Sequence, residues 1–308
     1  MASIIIAGGT GHLGSSLATR LVEEGNKVTV LTRTQNERLK NINYVLWDAR
    51  TTGSWVEYID SADVVINLCG KSVDCRYTEA NKLELIRSRV ATTVLIGEAI
   101  SRSSKPPSLW INASSSAYYG FSSRKMDERA GPGDDFPARI CVEWERAFLS
   151  ASTTKTRKVA WRLGVVLQRN KGLVMPFAGL VKSFLGGKLG SGKQFFTWIH
   201  EEDFLNSALW TINNEHAAGA YNLTSPEPVS NEDFMKALRK AIGVDFHFSL
   251  PEWLIKIGGK IVGTEPYLIL DGRRIIPARL VDAGFKFHYS HIEPALNDLF
   301  KKRKHDGI

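Results

Sequence analysis

A glycine-rich turn close to the amino end constrains the fold of this chain more than any other feature. Its glycines have the spacing GxxGxxG and are Gly8, Gly11 and Gly14. The run Ser3–Ala7 before the turn is apolar and β-branched, as in a buried parallel strand. Residues 16–24 after it carry apolar side chains at helical spacing, and Lys27–Thr32 is predicted as a second strand. This order predicts a βαβ unit of about 30 residues.

Strands and helices continue to alternate through the first half of the chain. The predicted strands are Asp63–Leu68, Ser108–Asn112 and Lys158–Leu163, and the predicted helices are Glu79–Arg102 and Arg139–Ser150. This alternation predicts an α/β fold, a doubly wound parallel sheet of the Rossmann type with helices on both faces.

The character of the sequence changes beyond Gln168. Glycines cluster between residues 186 and 192, and prolines separate short apolar segments after them. We predict a smaller C-terminal substrate lobe that covers the carboxyl ends of the strands. The predicted domains are therefore residues 1–168, which bind the dinucleotide, and residues 169–308, which form the lobe. We expect the chain to return to the core near residues 197–224.

The position of the glycine turn between a strand and a helix predicts a site for a dinucleotide. Gly8 permits the tight turn, Gly11 lets the backbone approach a pyrophosphate, and Gly14 lets the helix pack closely on the sheet. The amino end of the helix adds free N–H groups and the positive end of the helix dipole. A glycine-rich turn without a ligand is the alternative.

The end of the second strand distinguishes NADP from NAD. An acidic residue at this position binds the ribose 2′-hydroxyl of NAD, but this chain has Thr32 and Arg33. A guanidinium pairs with the 2′-phosphate of NADP, which a carboxylate would repel. The residues therefore favour NADP(H). Arg38 is a second candidate for binding the 2′-phosphate, and the alternative for Arg33 is that it is only a surface charge.

Charge and composition exclude several other classes of protein. The formal net charge is +8, but the basic residues are scattered except in the run 301–304, so nucleic-acid binding has weak support. No apolar stretch approaches the ~18 residues that span a bilayer. Three cysteines without a CxxC pair favour free thiols, no metal site and a cytoplasmic location.

Longer motifs resemble the extended short-chain dehydrogenases/reductases of the sugar-nucleotide epimerase kind. These are GGTGHLG at residues 8–14, NLCGKSV at 67–73 and SSSAYYG at 114–120. A closer resemblance is to an atypical branch, the "epimerase family protein" group. It is carried by RSRVATT at 87–93, GDDF at 133–136, CVEWE at 141–145, RLGVVL at 162–167, LGSGKQFFTWIHEEDF at 189–204, and LDGRRIIPARLVDAGFKF at 270–287, which resembles the group's C-terminal module.

This resemblance implies a Rossmann-type core that binds NADP and a small substrate lobe. By position it implies a cofactor site lined by Gly8, Thr10, Gly11, His12, Leu13, Gly14, Thr32, Arg33, Cys69, Gly70, Glu84, Arg89 and Val165. Arg89 lies where the wider family usually has an asparagine that touches the dinucleotide. It contacts phosphate or pairs with Glu84, and an exposed ion pair without function is the alternative.

The usual catalytic tyrosine and lysine of the superfamily are missing. Typical members carry them as YxxxK, since residues i and i+4 share one helix face and the ammonium lowers the pKa of the tyrosine. Counted back from the WE of CVEWE, these two positions hold Pro137 and Cys141. We assign Ser115 as the serine that holds the substrate oxygen and Tyr119 as the substitute phenol. A hydroxyl-rich loop and packed aromatic rings are the alternatives.

The segment Gly186–Gly192 and the aromatic residues after it predict a loop that closes over a substrate. A nucleotide-linked molecule is one candidate for that substrate. The side chains assigned to the substrate are Tyr118, Lys193, Trp198 and His200. The alternative for the glycine-rich segment is a flexible turn before a core strand. The alternative for His200 is a structural hydrogen bond, in which case Asp203 caps the next helix. Arg273, Arg274 and Arg279 are candidates for binding an acidic substrate or are solvated charges.

Two functions compete at this point. The first is an NADP-dependent oxidoreductase or epimerase that acts on an unidentified small molecule. The second is a non-catalytic NADP(H)-binding or redox-sensing protein, which the missing YxxxK favours. A homodimer is a further expectation, because members of the superfamily often pair through helices.

Overall fold

The computed structural model describes residues 1–34 and 39–301, so Arg38 and residues 302–304 of the basic run lie outside the described part. The strands are β1 (Ser3–Ala7), β2 (Lys27–Thr32), β3 (Ile42–Leu46), β4 (Val64–Asn67), β5 (Leu109–Ser115), β6 (Ser122–Met126), β7 (Arg157–Leu163), β8 (Val165–Leu167), β9 (Phe195–Phe196), β10 (Trp198–His200), β11 (Gly219–Leu223), β12 (Val229–Ser230) and β13 (Arg273–Ile275). The helices are α1 (His12–Glu23), α2 (Glu79–Arg102), α3 (Phe136–Ser150), α4 (Val174–Lys182), α5 (Glu201–Asn213), α6 (Asn231–Ile242), α7 (Glu252–Val262), α8 (Tyr267–Leu270), α9 (Ala278–Asp282) and α10 (Ile292–Phe300). Short 3₁₀ helices lie at Ser54–Ser61 and Ser116–Tyr119. None of the helices in the described ranges has the length and apolar character that a bilayer span requires.

Seven strands form the central sheet, in the order β11-β7-β5-β4-β1-β2-β3. Every pairing within it is parallel. The chain runs outward from β1 to β2 and β3 on one side, and then through β4, β5 and β7 on the other. In such a sheet a ligand binds outside the carboxyl ends of the strands where the order reverses, which here is between β1 and β4. The predicted doubly wound, Rossmann-type sheet is confirmed.

The two faces of the sheet are covered by different helices. Ile4 and Ile6 of β1 belong to a core cluster that includes side chains of α1 and α5. Ile5 and Ala7 belong to a second cluster with side chains of α2 and α3. This division follows from the strand geometry, because successive side chains point to opposite faces. A third cluster lies in the C-terminal lobe and joins α4, α6 and α10.

The lobe is connected to the sheet at several places. β11 lies at the edge of the sheet beside β7, within the range 197–224 where the return of the chain was expected. β13 pairs with β6, and β10 pairs with β8. The domain boundary at residue 168 stays a prediction, and one strand of the sheet comes from beyond it.

The starts of the helices differ in how their first N–H groups are satisfied. Four helices, α2, α3, α5 and α6, are preceded by a residue whose side chain accepts a hydrogen bond from a backbone N–H group of the first turn. These capping residues are Thr78, Asp135, His200 and Ser230. The cap of α5 is therefore His200 and not Asp203, so that prediction was wrong. The carboxylate of Asp203 instead accepts two backbone N–H groups of the C-terminal module, at 2.6 and 2.9 Å. In contrast, α1 follows Gly11 without a side-chain cap.

Three differences from the predicted elements affect the site. α1 begins at His12, ahead of the apolar pattern that starts at residue 16, so its first turn follows Gly11 directly. β5 continues through Ser115 and so carries two of the predicted serines on the sheet. β3 is absent from the predicted elements because most of its residues are only partly buried and its apolar pattern is short.

Candidate active site

The glycine turn presses the start of α1 against the ends of β1 and β4. Gly8 has a φ of +81°, and a Cβ atom built there would lie 2.9 Å from the carbonyl carbon of Leu68. A Cβ atom on Gly14 would lie 2.4 Å from the carbonyl oxygen of Gly8, which is too close for any side chain. Both positions require glycine, in agreement with the tight turn and the close helix packing expected of them.

The amino end of α1 is open to an anion. Gly11 offers no side-chain cap, and the first turn of the helix contains no acidic residue. Gly11 and His12 are exposed, while Thr10 and Leu13 are half-buried beside them. Because the first N–H groups of a helix have no partner within the helix and carry the positive end of its dipole, they bind anionic groups. A pyrophosphate fits the residues present here.

The end of β2 places a cation near this turn. Thr32 is buried, and its hydroxyl donates to the carbonyl oxygen of Thr34 at 3.0 Å. Arg33 is exposed and acts electrostatically on the thiol of Cys69, just beyond β4. Burial raises the pKa of that thiol to about 12, so Cys69 is neutral at physiological pH. The guanidinium of Arg33 is thus exposed, and no described residue forms an ion pair with it.

Arg89 on α2 is fixed below the loop that follows β4. Its guanidinium donates to the carbonyl oxygens of Leu85 at 2.9 Å and Lys71 at 3.0 Å. A Cβ atom on Gly70 would lie 3.0 Å from the guanidinium carbon, so the loop can approach Arg89 only because it has a glycine there. Glu84 is exposed, and among the described residues it forms no ion pair with Arg89. The proposed Glu84–Arg89 pair is therefore wrong.

Ser115 ends β5 at the carboxyl edge of the sheet and is half-buried. Its hydroxyl accepts the N–H of Ala117 at 3.1 Å and donates weakly to the carbonyl oxygen of Leu163 at 3.4 Å. Its backbone contacts the thiol of Cys141, whose pKa burial raises to about 11. Pro137 and Cys141 lie buried on α3, so the positions expected for tyrosine and lysine hold no group that ionises near pH 7.

A buried network joins the ends of β5, β7 and β11 to α3. Arg162 donates to the carboxylate of Glu145 through two hydrogen bonds, of 2.9 and 2.8 Å. Ser114 donates to the same carboxylate at 2.6 Å. Arg162 also donates to the hydroxyl of Tyr119 at 2.9 Å, and that hydroxyl donates to Asn222 Oδ1 at 2.7 Å. These side chains hold the floor of the site in one arrangement.

This network contradicts the catalytic role predicted for Tyr119. The side chain is only 4% exposed, and its hydroxyl proton is already donated to Asn222. Burial raises the pKa of Tyr119 to about 12, although Arg162 acts in the opposite direction. A phenol that is enclosed in this way cannot come within hydrogen-bond reach of a substrate, which a general acid or base requires.

We therefore expect Tyr119→Phe to lower stability without abolishing any activity that the wild type shows. The change removes a hydroxyl that bridges two buried polar side chains, and leaving such groups unsatisfied costs about 1–3 kcal/mol. Urea unfolding measures the loss, and NADPH oxidation measures the activity. Tyr118→Phe is the control for stability alone, because no hydrogen bond of this network involves the hydroxyl of Tyr118. A folded Tyr119→Phe chain that has lost activity seen in the wild type contradicts the assignment.

The side chains predicted to bind a substrate divide into two groups. In the first group, Tyr118 lies in the 3₁₀ helix after β5 and is half-buried. The guanidinium carbon of Arg162 is 3.5 Å from the centroid of the Tyr118 ring. Lys193 is exposed. Trp198 has no exposed surface and donates to the carbonyl oxygen of Glu227, so its predicted substrate contact is wrong. His200 is 5% exposed and caps α5, which is the structural alternative for this residue.

The predicted closing loop is part of the packing of the lobe. The N–H of Gly187 donates to the carbonyl oxygen of Phe248 at 2.9 Å, and the N–H of Gly190 donates to that of Leu250 at 2.8 Å. A Cβ atom on Gly187 would lie 2.6 Å from the carbonyl oxygen of Phe248. The glycines thus allow two chain segments to approach closely, which explains their clustering without a ligand.

Sequence reasoning missed two groups of residues. One is the pair Glu145 and Arg162. The other is a cluster of aromatic side chains beside Arg273. A signal for the pair exists, because Arg162 interrupts the apolar strand KVAWRL and Glu145 follows a tryptophan on α3. A charge inside an apolar segment predicts a buried partner but does not name it.

A model of the NAD dependent epimerase/dehydratase family matches residues 4–224. The chain belongs to this family. A second model, a domain of unknown function called DUF1731, matches residues 250–299, which contain β13 and Arg273. The resemblance to epimerase-like short-chain dehydrogenases/reductases with a C-terminal module is confirmed.

Relatives of this epimerase/dehydratase member match along its whole length. An epimerase family protein of Staphylococcus aureus (strain MRSA252) is 33% identical, covering 98% of this chain and 100% of the relative. The structure of the human epimerase family protein SDR39U1 (isoform 2) with NADPH is 28% identical, with a TM-score of 0.87, covering 98% of this chain and 100% of that one. The nucleoside-diphosphate sugar epimerase of Corynebacterium glutamicum is 28% identical, with a TM-score of 0.79, covering 99% of this chain and 59% of that one.

Proposed function

We propose that this chain binds NADPH and transfers hydride between it and a small-molecule substrate. The observation that carries the proposal is the open amino end of α1, packed through Gly8 and Gly14 against the sheet, with Arg33 at the end of β2. A pyrophosphate and a 2′-phosphate would be held by these groups. The human relative that was crystallised with NADPH supports the choice of NADP over NAD.

The remaining cofactor residues would surround the rest of the dinucleotide. Cys69 and Gly70 follow β4 at the point where the strand order reverses, and Val165 begins β8 beyond the end of β7. Arg89 supports the loop after β4 from below. Glu84 remains a candidate on the exposed side of α2. These positions follow the carboxyl edge of the sheet, where nucleotides bind in folds of this kind.

The chain's own residues would orient the substrate and leave proton transfer to solvent. NADPH, when bound, supplies a hydride. Ser115 would donate its hydroxyl proton as a hydrogen bond to a carbonyl oxygen of the substrate, because its present bond to Leu163 is long. Since Tyr119 is enclosed in the network, the proton that completes an alcohol would come from water.

A second candidate function is binding of NADPH without turnover, as a redox sensor or a structural ligand. The observation that favours it is the pair Pro137 and Cys141 on α3, because neither side chain replaces the tyrosine and lysine. Under this alternative, NADPH binds through the same residues, and Ser115 has no partner to orient.

Titration and turnover together test the proposal. We expect calorimetry to show NADPH binding, with NADH weaker by about tenfold or more because it lacks the phosphate that Arg33 meets. We also expect the 340 nm absorbance of NADPH to fall with at least one compound from a panel of aldehydes and ketones. Ser115→Ala should slow that reaction, whereas Ser101→Ala, an exposed change at the end of α2, should not.

These measurements distinguish the two candidate functions. Absence of binding by both nucleotides contradicts the cofactor assignment. Binding of NADPH without oxidation across the panel, and with no effect of Ser115→Ala on affinity, supports the non-catalytic alternative.

A further inference from the structure

Four aromatic side chains from distant parts of the sequence form one cluster, which we call the aromatic wall: Tyr77, Phe121, Phe136 and Tyr267. The ring of Tyr77 lies 5.1 Å from that of Phe136 and 5.3 Å from that of Tyr267, measured between centroids. The ring of Tyr267 lies 5.6 Å from that of Phe121. All four side chains are half-buried, so each keeps part of its surface accessible. Such a surface suits a planar, apolar group.

Arg273 of β13 lies against the aromatic wall with part of its guanidinium unsatisfied. The guanidinium carbon is 4.3 Å from the ring centroid of Phe121. The Nε atom is fully buried and has no hydrogen-bond partner within the described residues. The carboxylate of Asp135 accepts the N–H groups of Ala138 and Phe121, both at 2.8 Å, and with Asp271 it acts on the Arg273 guanidinium through its charge rather than through a hydrogen bond. A buried donor without a hydrogen-bond partner is costly, and an anionic ligand that accepts from the guanidinium would offset that cost.

Arg273 differs from the other two arginines of the predicted trio, because within the described residues it has a fully buried donor without a partner. Arg279 donates to a backbone carbonyl at 2.6 Å, and its guanidinium carbon lies 4.0 Å from the ring of Tyr221. Arg274 lies over the ring of Phe195, at 4.6 Å. Of these three arginines, Arg273 is the one that, among the described residues, combines contact with the aromatic wall and a buried Nε atom without a hydrogen-bond partner.

The aromatic wall and Arg273 border the candidate active site. Phe136 begins α3, the helix that carries Cys141, and Phe121 lies two residues beyond the 3₁₀ helix that ends at Tyr119. In agreement with this position, Arg273 and Arg89 both act electrostatically on Cys141 and on Tyr77. Cys141 in turn contacts the backbone of Ser115. Arg89 stands on the cofactor side, below the loop after β4, so Arg273 stands on the side left for a substrate.

We infer that the substrate of this site is an aromatic acid, whose planar ring lies on the aromatic wall and whose carboxylate or phosphate group pairs with Arg273. This inference rests on the proposed function for the position of the cofactor. The C-terminal module supplies Arg273 and Tyr267, and the sheet domain supplies the rest of the wall. The site is therefore complete only when the two parts of the chain are together.

Small probes test the inference without knowledge of the natural substrate. The probes are benzoate, phenyl phosphate, benzamide and inorganic phosphate, titrated into the full chain with and without NADPH and followed by ligand-observed NMR. We expect benzoate or phenyl phosphate to bind about tenfold or more tightly than neutral benzamide. Arg273→Gln should abolish this difference. Arg274→Gln, a change of the neighbouring arginine, should leave it intact. The tighter of the two acids identifies the acidic group.

Three results would overturn the inference: benzamide binding as tightly as the acids, inorganic phosphate alone binding as tightly as phenyl phosphate, or an unchanged preference in folded Arg273→Gln. Should that variant not fold, the comparison of charged with neutral probes on the wild type still decides the matter. NADPH affinity is measured on the same samples. Loss of probe preference with intact NADPH binding contradicts only this inference, whereas absent NADPH binding contradicts the proposed function.

Discussion

Glu145→Gln is expected to lower the free energy of unfolding by about 3–5 kcal/mol, the usual cost of breaking a buried ion pair by removing one charge. The side chains of Arg162 and Glu145 are 7% and 6% exposed, and two hydrogen bonds join them. Without the carboxylate, the guanidinium of Arg162 stays enclosed with an uncompensated charge. The amide oxygen of glutamine can still accept from Ser114 or Arg162, but its NH₂ group cannot replace the second acceptor oxygen of the carboxylate. The expected loss is a large part of the total stability of an ordinary domain.

Urea unfolding of the full chain measures this effect, and Glu143→Gln is a matched control. Glu143 lies on the same helix and pairs with Arg146 at 3.0 Å, but the guanidinium of Arg146 is 67% exposed. A surface pair of this kind contributes at most about 1 kcal/mol. Equal losses in the two variants would show that the Arg162 pair does not support the fold in the way that its burial implies.

The second large effect is expected for Arg33→Glu, which should reverse the preference for NADPH over NADH. The change removes a charge-assisted contact to the 2′-phosphate, which corresponds to a loss of NADPH affinity of about 10- to 150-fold. It also introduces a carboxylate, which repels that phosphate and can accept a hydrogen bond from the ribose 2′-hydroxyl of NADH. The affinity for NADH should therefore rise or stay constant while that for NADPH falls.

Paired titrations with NADPH and NADH measure this ratio directly. Arg50→Glu is the control, because Arg50 is an exposed arginine beyond β3 and the substitution makes the same change in net charge. A general effect of charge would alter both variants alike. A ratio that Arg33→Glu leaves unchanged would remove Arg33 from the cofactor site.

Local sequence patterns predicted the parts of the molecule that depend on local geometry. The glycine turn requires Gly8 and Gly14 for reasons of space, and the same close contacts appear in the structure. The bounds of β2 and of α2 match the prediction. These features depend on neighbours in sequence, which a single chain displays without further information.

The contents of the site depended on contacts between distant residues, and there prediction was weaker. Tyr119 follows Ser115 closely in sequence, but a 3₁₀ helix turns its hydroxyl into the network with Asn222. Trp198 follows a glycine-rich segment that suggested a ligand site, but it is buried in the core of the lobe. The side chains of Tyr77 and Tyr267 meet only in the folded chain. No spacing rule connects positions so far apart.

The position of β11 has a consequence for how the protein matures on the ribosome. β7 has β5 on one side, and its other edge is covered only by β11, which belongs to a segment translated after α4 and α5. Until that segment emerges, a nascent chain exposes the backbone of β7 as an unpaired edge, which is prone to aggregation. Cotranslational protection of the growing polypeptide is thus needed well past the point where its nucleotide-binding half has been synthesised.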